Sequence, residues 1–521
     1  MAEEIVFSGR DPLPRATLDL HFELFSTDGV SMQSQELTGA LRSRNWPVHL
    51  AASDARPGSG DLRLPELSYQ SDDSIALRRR IFAPTAGDGA TIHSGGEALV
   101  EEIIARSRPI RRQLEEYIRN HDIQLLHVRN VMSLPYNLPA TLALYELARD
   151  RPDMAFVLQH HDLYWEGPNA ANFQTPHAEV AALMERIICP DLPNARHVLI
   201  SPIARESLKE RRGLSGVVIP DGFEFDREPV LIDEAVFRGR LQVLTGGRGP
   251  VRADDLVVAM PGRIAINKAI ELAIQFVAGL EKRRASLEAA PDGVGQKRRR
   301  FGKDSQIVLL LPQGKGLEEN RGYFQRLLAY ARHSGITLAY GGDIVVADSQ
   351  FKPGDTERYP FYSTYQAADF VCYSAEHEGF GNQVIESIWA KRPLALFQYP
   401  VFKRYLRDHV PHFVSLGDAE HLERLQEFGG LHRLSHDVLE QALDGTVALL
   451  TDHGLATRFT EENWRVLRTF CGIEAVVDQY IALYNEIGMG FRPRPKAGDE
   501  AGLSFSPGEV LRSQPCLAPP E

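Results

Sequence analysis

The stretch EHEGFGNQVIE, residues 376–386, sets Glu376, Glu378 and Glu386 around a turn carrying Gly379 and Gly381, after which Val384, Ile385, Ile388 and Trp389 open an apolar helical spacing. A glycine turn leading into a helix lets the backbone approach a ligand and offers free N–H groups to an anion. Carboxylates facing a dianion would repel it, so Glu378 and Glu386 suit hydroxyls at the two ends of an elongated ligand whose phosphates lie between them. A sugar beyond one phosphate and a ribose beyond the other meet both demands. Upstream, PGRIAINK places Arg263 and Lys268 five apart across a turn that follows a strand. Two such cations can neutralise a diphosphate, and stabilising a departing nucleoside diphosphate is the electrostatic task of glycosyl transfer. Alone, an Arg and a Lys at a helix start are ordinary surface charges; the EGFG turn makes the functional reading the better one.

The elements that must position these residues alternate. Residues 20–52 read as strand (LHFELFS), turn, helix (MQSQELTGALRSRN) and strand (WPVHLAAS), with further strands expected over 123–130, 154–161 and 196–202 and a helix at LPATLALYELARD. VVIPDGFEFD closes this half, and residues 227–253 are expected to hold the domain boundary. Alternation restarts with DLVVAMPGRI, NKAIELAIQFVAGLEKRRA and SQIVLLLPQG, and continues through GITLAYGG, DFVCYS and PLALFQYPV. Such a pattern predicts an α/β protein with two mostly parallel sheets covered by helices. Residues 286–305 lack periodicity and read as a mobile surface insertion, residues 434–487 as helical throughout, and the Pro-, Gly- and Ser-rich stretch from Arg492 as disordered.

Composition excludes several classes. The 521 residues carry 58 basic and 70 acidic side chains, a formal charge of -12, which argues against wholesale attraction to nucleic acid or anionic lipid. Basic runs at Arg78 to Arg80, Lys209 to Arg212, Lys282 to Arg284 and Lys297 to Arg300 read as solvated helix ends or loops. No apolar run is long enough to span a bilayer, the N-terminus lacks a signal-peptide pattern, and the four scattered cysteines fit a reducing compartment, so a cytoplasmic location is expected. No metal site, phosphate loop, GxSxG, HExxH or GxGxxG arrangement is present.

Together the motifs resemble the retaining, nucleotide-sugar-dependent glycosyltransferases of GT-B architecture grouped as family 4, also called the glycosyltransferase group 1 type. Two glutamates separated by seven residues, Glu378 and Glu386, match the family's C-terminal motif, and PGRIAINK is similar to its Arg/Lys element. The similarity is strong over about residues 254–405 and weaker, though in order, over about 20–226. It implies two Rossmann-like domains facing an interdomain cleft: 1–235 on the acceptor side, 236–455 binding the nucleotide sugar, and 456–491 as helices crossing back, ahead of a tail at 492–521.

By resemblance, Glu378 meets the donor sugar, Gly379, Phe380, Gly381 and Asn382 hold the diphosphate at the helix start, Glu386 takes the ribose, and Arg263 with Lys268 stabilises the leaving group. QHHDLYWEG resembles the family's His-Asp element, with His161 against the donor sugar, His160 in reserve and Asp162 beside it. Gly29 occupies the place of the first glycine loop, and VVIPDGFEFD that of a Pro-Asn-Gly turn, with Asp221 for the asparagine. Tyr164 and Trp165 suit packing on an acceptor sugar, a core role being equally open. The implied reaction retains anomeric configuration by front-side attack, without a protein nucleophile, cofactor or metal. The expected donor is GDP-mannose or UDP-glucose and the expected acceptor a small soluble metabolite, glycoside or oligosaccharide. Alternatives are a lipid-linked acceptor at a membrane surface, a non-catalytic sugar-nucleotide sensor, and a GT-B epimerase or glycoside phosphorylase.

Overall fold

The computed structural model describes residues 16–24, 29–56, 60–82, 95–352 and 354–489. The expected tail at 492–521 lies outside them. The chain divides into two compact units, one of residues through Gly222 with those from Val476 onward, the other Phe223–Ala475.

The first unit is built on seven strands in the order β3-β2-β1-β4-β5-β6-β7. These are β1 (Thr17–Leu20), β2 (Val48–Ala52), β3 (Leu62–Arg63), β4 (Leu125–Arg129), β5 (Ala155–His160), β6 (Ala195–Leu199) and β7 (Gly216–Val218). Every pairing is parallel, so all the carboxyl ends open on one edge, and the order reverses between β1 and β4. Such a switch point is where doubly wound sheets bind ligands. β1, β4 and β5 are buried along their whole length, which is why they read as near-continuous apolar runs.

The first strand corrects the sequence reading. It is TLDL, not LHFELFS, and His21 to Leu24 form the loop past its carboxyl end. Asp19 obscured the strand: a carboxylate in a buried strand is tolerable only when paired, and the fully buried Arg129 on β4 grips both its oxygens, Nε to Oδ1 at 2.8 Å and Nη2 to Oδ2 at 2.9 Å.

The second unit carries another seven-stranded sheet, ordered β16-β15-β14-β9-β10-β11-β8. Its strands are β8 (Gln242–Thr245), β9 (Leu256–Ala259), β10 (Ile307–Leu311), β11 (Thr337–Tyr340), β14 (Phe370–Tyr373), β15 (Leu394–Leu396) and β16 (Val414–Ser415). All pair in parallel except β8 on β11. Two small pairs complete it, β12 (Val345–Val346) with β13 (Tyr359–Pro360), and the antiparallel β17 (Leu422–Leu425) with β18 (Leu431–Leu434). Residues 227–253, where the domain boundary was expected, supply the helix Glu234–Arg240 and β8.

The helical C-terminal region breaks twice. Helices His436–Thr451, His453–Cys471 and Ile473–Met489 meet at Asp452, whose side chain caps the second by accepting from the Leu455 N–H at 2.9 Å, and at Gly472. From Val476 the last helix belongs to the first unit, where the Tyr484 hydroxyl lies 2.7 Å from His127 Nδ1.

Residues 286–305 form a packed element rather than a loose insertion. Val294 is fully buried, Gly295 N–H donates to Leu450 O at 2.8 Å, and Arg299 Nε donates to the buried Asp369 at 2.6 Å. Lys297 and Arg299 both pair with Glu234. Long-range ion pairs, invisible to periodicity, hold the segment.

Candidate active site

In the second unit the site grows from two adjacent strand ends. After β9, Met260 to Arg263 turn away, and a 3-10 turn, Ile266–Lys268, delivers Lys268, which is 5% exposed. After β14 comes the loop with Glu376 and Glu378. The loops are laced together: Glu376 N–H donates to Asn267 O at 2.9 Å, Asn267 Nδ2 to His377 O at 3.1 Å, and Ser374 Oγ to Lys268 O at 3.1 Å.

That lacing brings Lys268 Nζ onto the Glu378 carboxylate, with the Tyr373 hydroxyl 3.2 Å from Nζ. Tyr373 donates to Glu378 Oε1 at 2.6 Å and lies 2.9 Å from Gln383 Oε1. Burial first, and the Glu378 charge second, raise the Tyr373 pKa well above its ordinary value, so it stays a donor. Arg263, on the same loop as Lys268, is exposed and makes no hydrogen bond or ion pair with the described residues.

The helix Asn382–Trp389 begins without a side-chain cap; the Val384 N–H donates to Gly381 O at 2.9 Å, while the Asn382 and Gln383 N–H groups have no acceptor among the described residues and are available to an anion. Its N-cap, Gly381, has φ 112°, and a Cβ there would lie 1.8 Å from the Tyr399 hydroxyl, which itself donates to Phe380 O at 2.7 Å. Glycine is therefore obligatory at 381; Gly379 is not among the positive-φ residues. Glu386 is 5% exposed and accepts from the buried Tyr365 hydroxyl. Glu376 is taken up by the β17–β18 hairpin, its Oε1 2.5 Å from His432 Nδ1. The sequence reading missed Tyr373, Gln383, Tyr365 and Tyr399. Tyr373 ends the strand leading into the motif and could have been found from its place; Tyr399 reaches the turn only through the fold.

In the first unit, His161 follows β5 at the sheet's carboxyl edge. Asn130, at φ 57° after β4, accepts its backbone N–H at 2.8 Å, and Asp221 Oδ1 lies 3.2 Å from its Nδ1. His161 Nε2 is buried without a partner among the described residues. His160 points the other way, its Nε2 2.8 Å from His197 Nδ1, and burial depresses its pKa well below the ordinary value; it is a core residue. Gly29 opens the helix Gly29–Ser43, the turn before it lying outside the described residues. Asp162 is exposed.

Tyr164 and Trp165 are both engaged in packing contacts. Tyr164 is 9% exposed, joins the core and donates to Glu185 at 2.9 Å, burial pushing its pKa up to about 12. Trp165 Nε1 donates to Ser207 Oγ at 3.0 Å, and Arg211 and Arg212 lie over its ring. Among the described residues no three His, Cys, Asp or Glu side chains gather as a metal site, and no helix is long and apolar enough to cross a membrane.

No protein-family profile matches the chain. It is 28% identical over 461 residues to the mannosylglucosylglycerate synthase of Thermotoga maritima, an alignment covering 88% of this chain and 97% of the relative. It is likewise 28% identical over 434 residues to that of Petrotoga mobilis, covering 83% and 93%. Among solved structures, the sucrose-phosphate synthase of Thermosynechococcus elongatus superposes with a TM-score of 0.55 at 14% identity, over 91% of this chain and all of that one. The fold is GT-B, with two Rossmann-like units. Glycosyl transfer is the enzyme class to which the relatives point.

Proposed function

We propose that the protein is a retaining, family 4 type glycosyltransferase that moves a mannosyl group from a nucleotide sugar of the GDP-mannose type to a hydroxyl of glucosylglycerate or a close analogue. The observation that carries the reading is the Lys268–Glu378–Tyr373 cluster beside the uncapped helix Asn382–Trp389. It combines a cation, an anion-seeking helix start and a carboxylate for hydroxyls in one place. The relatives' shared name and their near full-length alignment support the choice of sugar and acceptor.

In this account Lys268 is held on Glu378 until the donor binds. The donor's diphosphate draws the ammonium away, aided by Arg263 and the helix N–H groups, and frees Glu378 to accept from sugar hydroxyls while Glu386 meets the ribose. Charge developing on the leaving diphosphate is stabilised by fixed cations. The leaving oxygen takes the proton of the attacking acceptor hydroxyl on the same face, so no protein base or metal is required. His161 Nε2 is suited to a sugar hydroxyl.

Thermal shifts with GDP-, UDP- and ADP-sugars, with and without magnesium, test this. The expected result is stabilisation by GDP-mannose, unaffected by chelator and lost in Glu386→Ala. Stabilisation only by another nucleotide class, or only with metal, overturns the donor assignment.

A further inference from the structure

Past the carboxyl ends of β1, β3 and β4, the first unit carries a group of side chains that the steps above do not use. Tyr69 and Tyr136 stack with ring centres 4.9 Å apart, and Phe22 meets both edge-on at 5.5 and 6.2 Å. Arg78, from the helix Asp72–Ile81, lays its guanidinium 5.9 Å and 5.6 Å from the centres of the two tyrosine rings. Its Nη1 donates to the carbonyls of Tyr69 and Tyr136 at 2.9 and 3.4 Å.

The other edge of that guanidinium is open. Nε and Nη2 have no acceptor, and Arg78 has no ion-pair partner, among the described residues. The nearby Glu23 is engaged elsewhere, by Ser68 Oγ at 3.3 Å and Gln70 Nε2 at 2.9 Å. Burial lowers the Arg78 pKa, with no carboxylate acting against it. Arg80, two residues on, and Arg106 both pair with Glu102; Arg79 is exposed. A half-buried guanidinium with one open edge and no counter-ion among the described residues offers an anionic ligand a charged, partly desolvated partner. The Nε/Nη2 edge is also the one with which Arg129 holds Asp19 through both oxygens. It is therefore the shape that takes a carboxylate in bidentate fashion.

We infer that Arg78 is the acceptor-carboxylate subsite, its Nε and Nη2 gripping the glycerate carboxylate while Tyr69 and Tyr136 hold the guanidinium in plane. This rests on the functional reading above. The basic run that includes Arg78 thus serves a small anionic acceptor instead of a surface.

The test is steady-state kinetics with glucosylglycerate and with the uncharged glucosylglycerol as acceptors, for wild type, Arg78→Gln and Arg78→Lys. The donor-induced thermal shift reports that each variant is folded. Wild type is expected to prefer the carboxylate acceptor in kcat/KM, through KM. A charged hydrogen bond of this kind makes that preference fall about tenfold to a hundredfold in Arg78→Gln. Arg78→Lys, which keeps the charge but loses the fork, lies between, and serves alone if the glutamine variant does not fold. An unchanged acceptor ratio in both variants overturns the subsite. Transfer by wild type to neither acceptor, with donor still bound, overturns the functional reading and the subsite together, which separates the two failures.

Discussion

Two cation–carboxylate pairs show how differently one chemical motif is used in the two units. Asp19–Arg129 lies in the first sheet at 2% and 0% side-chain exposure, with Gln159 Oε1 taking the remaining Arg129 donor Nη1 at 2.9 Å and Thr38 bonded to Asp19. Every strong group there is satisfied by protein, and nothing is left for a ligand. Lys268–Glu378 stands on loops past strand ends, at 7% and 14% exposure, beside an uncapped helix start and on the same loop as Arg263, which has no partner among the described residues. The first pair fixes structure; the second, in the proposed account, is a pairing that the donor's diphosphate would dissolve. What distinguishes them is the supply of alternative partners more than burial.

The largest effect is expected where the closed pair is broken. Arg129→Met strands a buried carboxylate, which costs about 3–5 kcal/mol, and denaturant melts should show that loss or no folded protein at all. Lys268→Ala should do the opposite: a near-normal melt with transfer reduced about a hundredfold to a thousandfold, as for other preorganised groups at a developing charge. If Lys268→Ala unfolds the protein while Arg129→Met stays stable, the contrast is reversed and the assignment fails.

Arg299→Ala sharpens the comparison at intermediate size. It leaves Asp369 and Glu234 each without one partner, for about 1–3 kcal/mol by melting, with no change in donor binding. The exposed Arg300 should give nothing measurable when changed to Ala.

A pH dependence follows from the first unit's buried histidines. Burial, then the Arg129 charge, holds His127 at a pKa of about 3, and burial holds His197 at about 4, both from an ordinary 6.5. Below 6.5 the unfolded chain binds these protons and the folded chain does not, so stability is full above pH 6.5 and is lost as pH falls toward 4 and then 3. The melting temperature should decline over that range, and His197→Gln should flatten the decline. A flat profile in the wild type would contradict the burial of neutral imidazoles.

The C-terminal half of the candidate site was legible because its residues lie in two short segments, where a glycine turn, a helix start and paired charges follow one another. Tyr373 and Tyr399 fix its geometry but come from strand-end positions that local spacing does not mark. In the first unit, alternation disclosed a parallel sheet, yet Asp19 disguised the first strand because its partner is 110 residues away. The β17–β18 hairpin escaped for a similar reason: Leu422–Leu425 is LERL and Leu431–Leu434 is LHRL, strands short and half polar, anchored by Glu376 and Gln275. Tyr164 and Trp165 show the converse, aromatic residues near a motif whose packing contacts the sequence does not disclose.

The most direct test of the account is to incubate the protein with GDP-mannose and glucosylglycerate and analyse the product by mass spectrometry and proton NMR. The account predicts a mannosylated glucosylglycerate whose new linkage keeps the α configuration of the donor, formed by wild type and not by Lys268→Ala. An inverted linkage, or equal product from the Lys268→Ala variant, would contradict the mechanism built on this site.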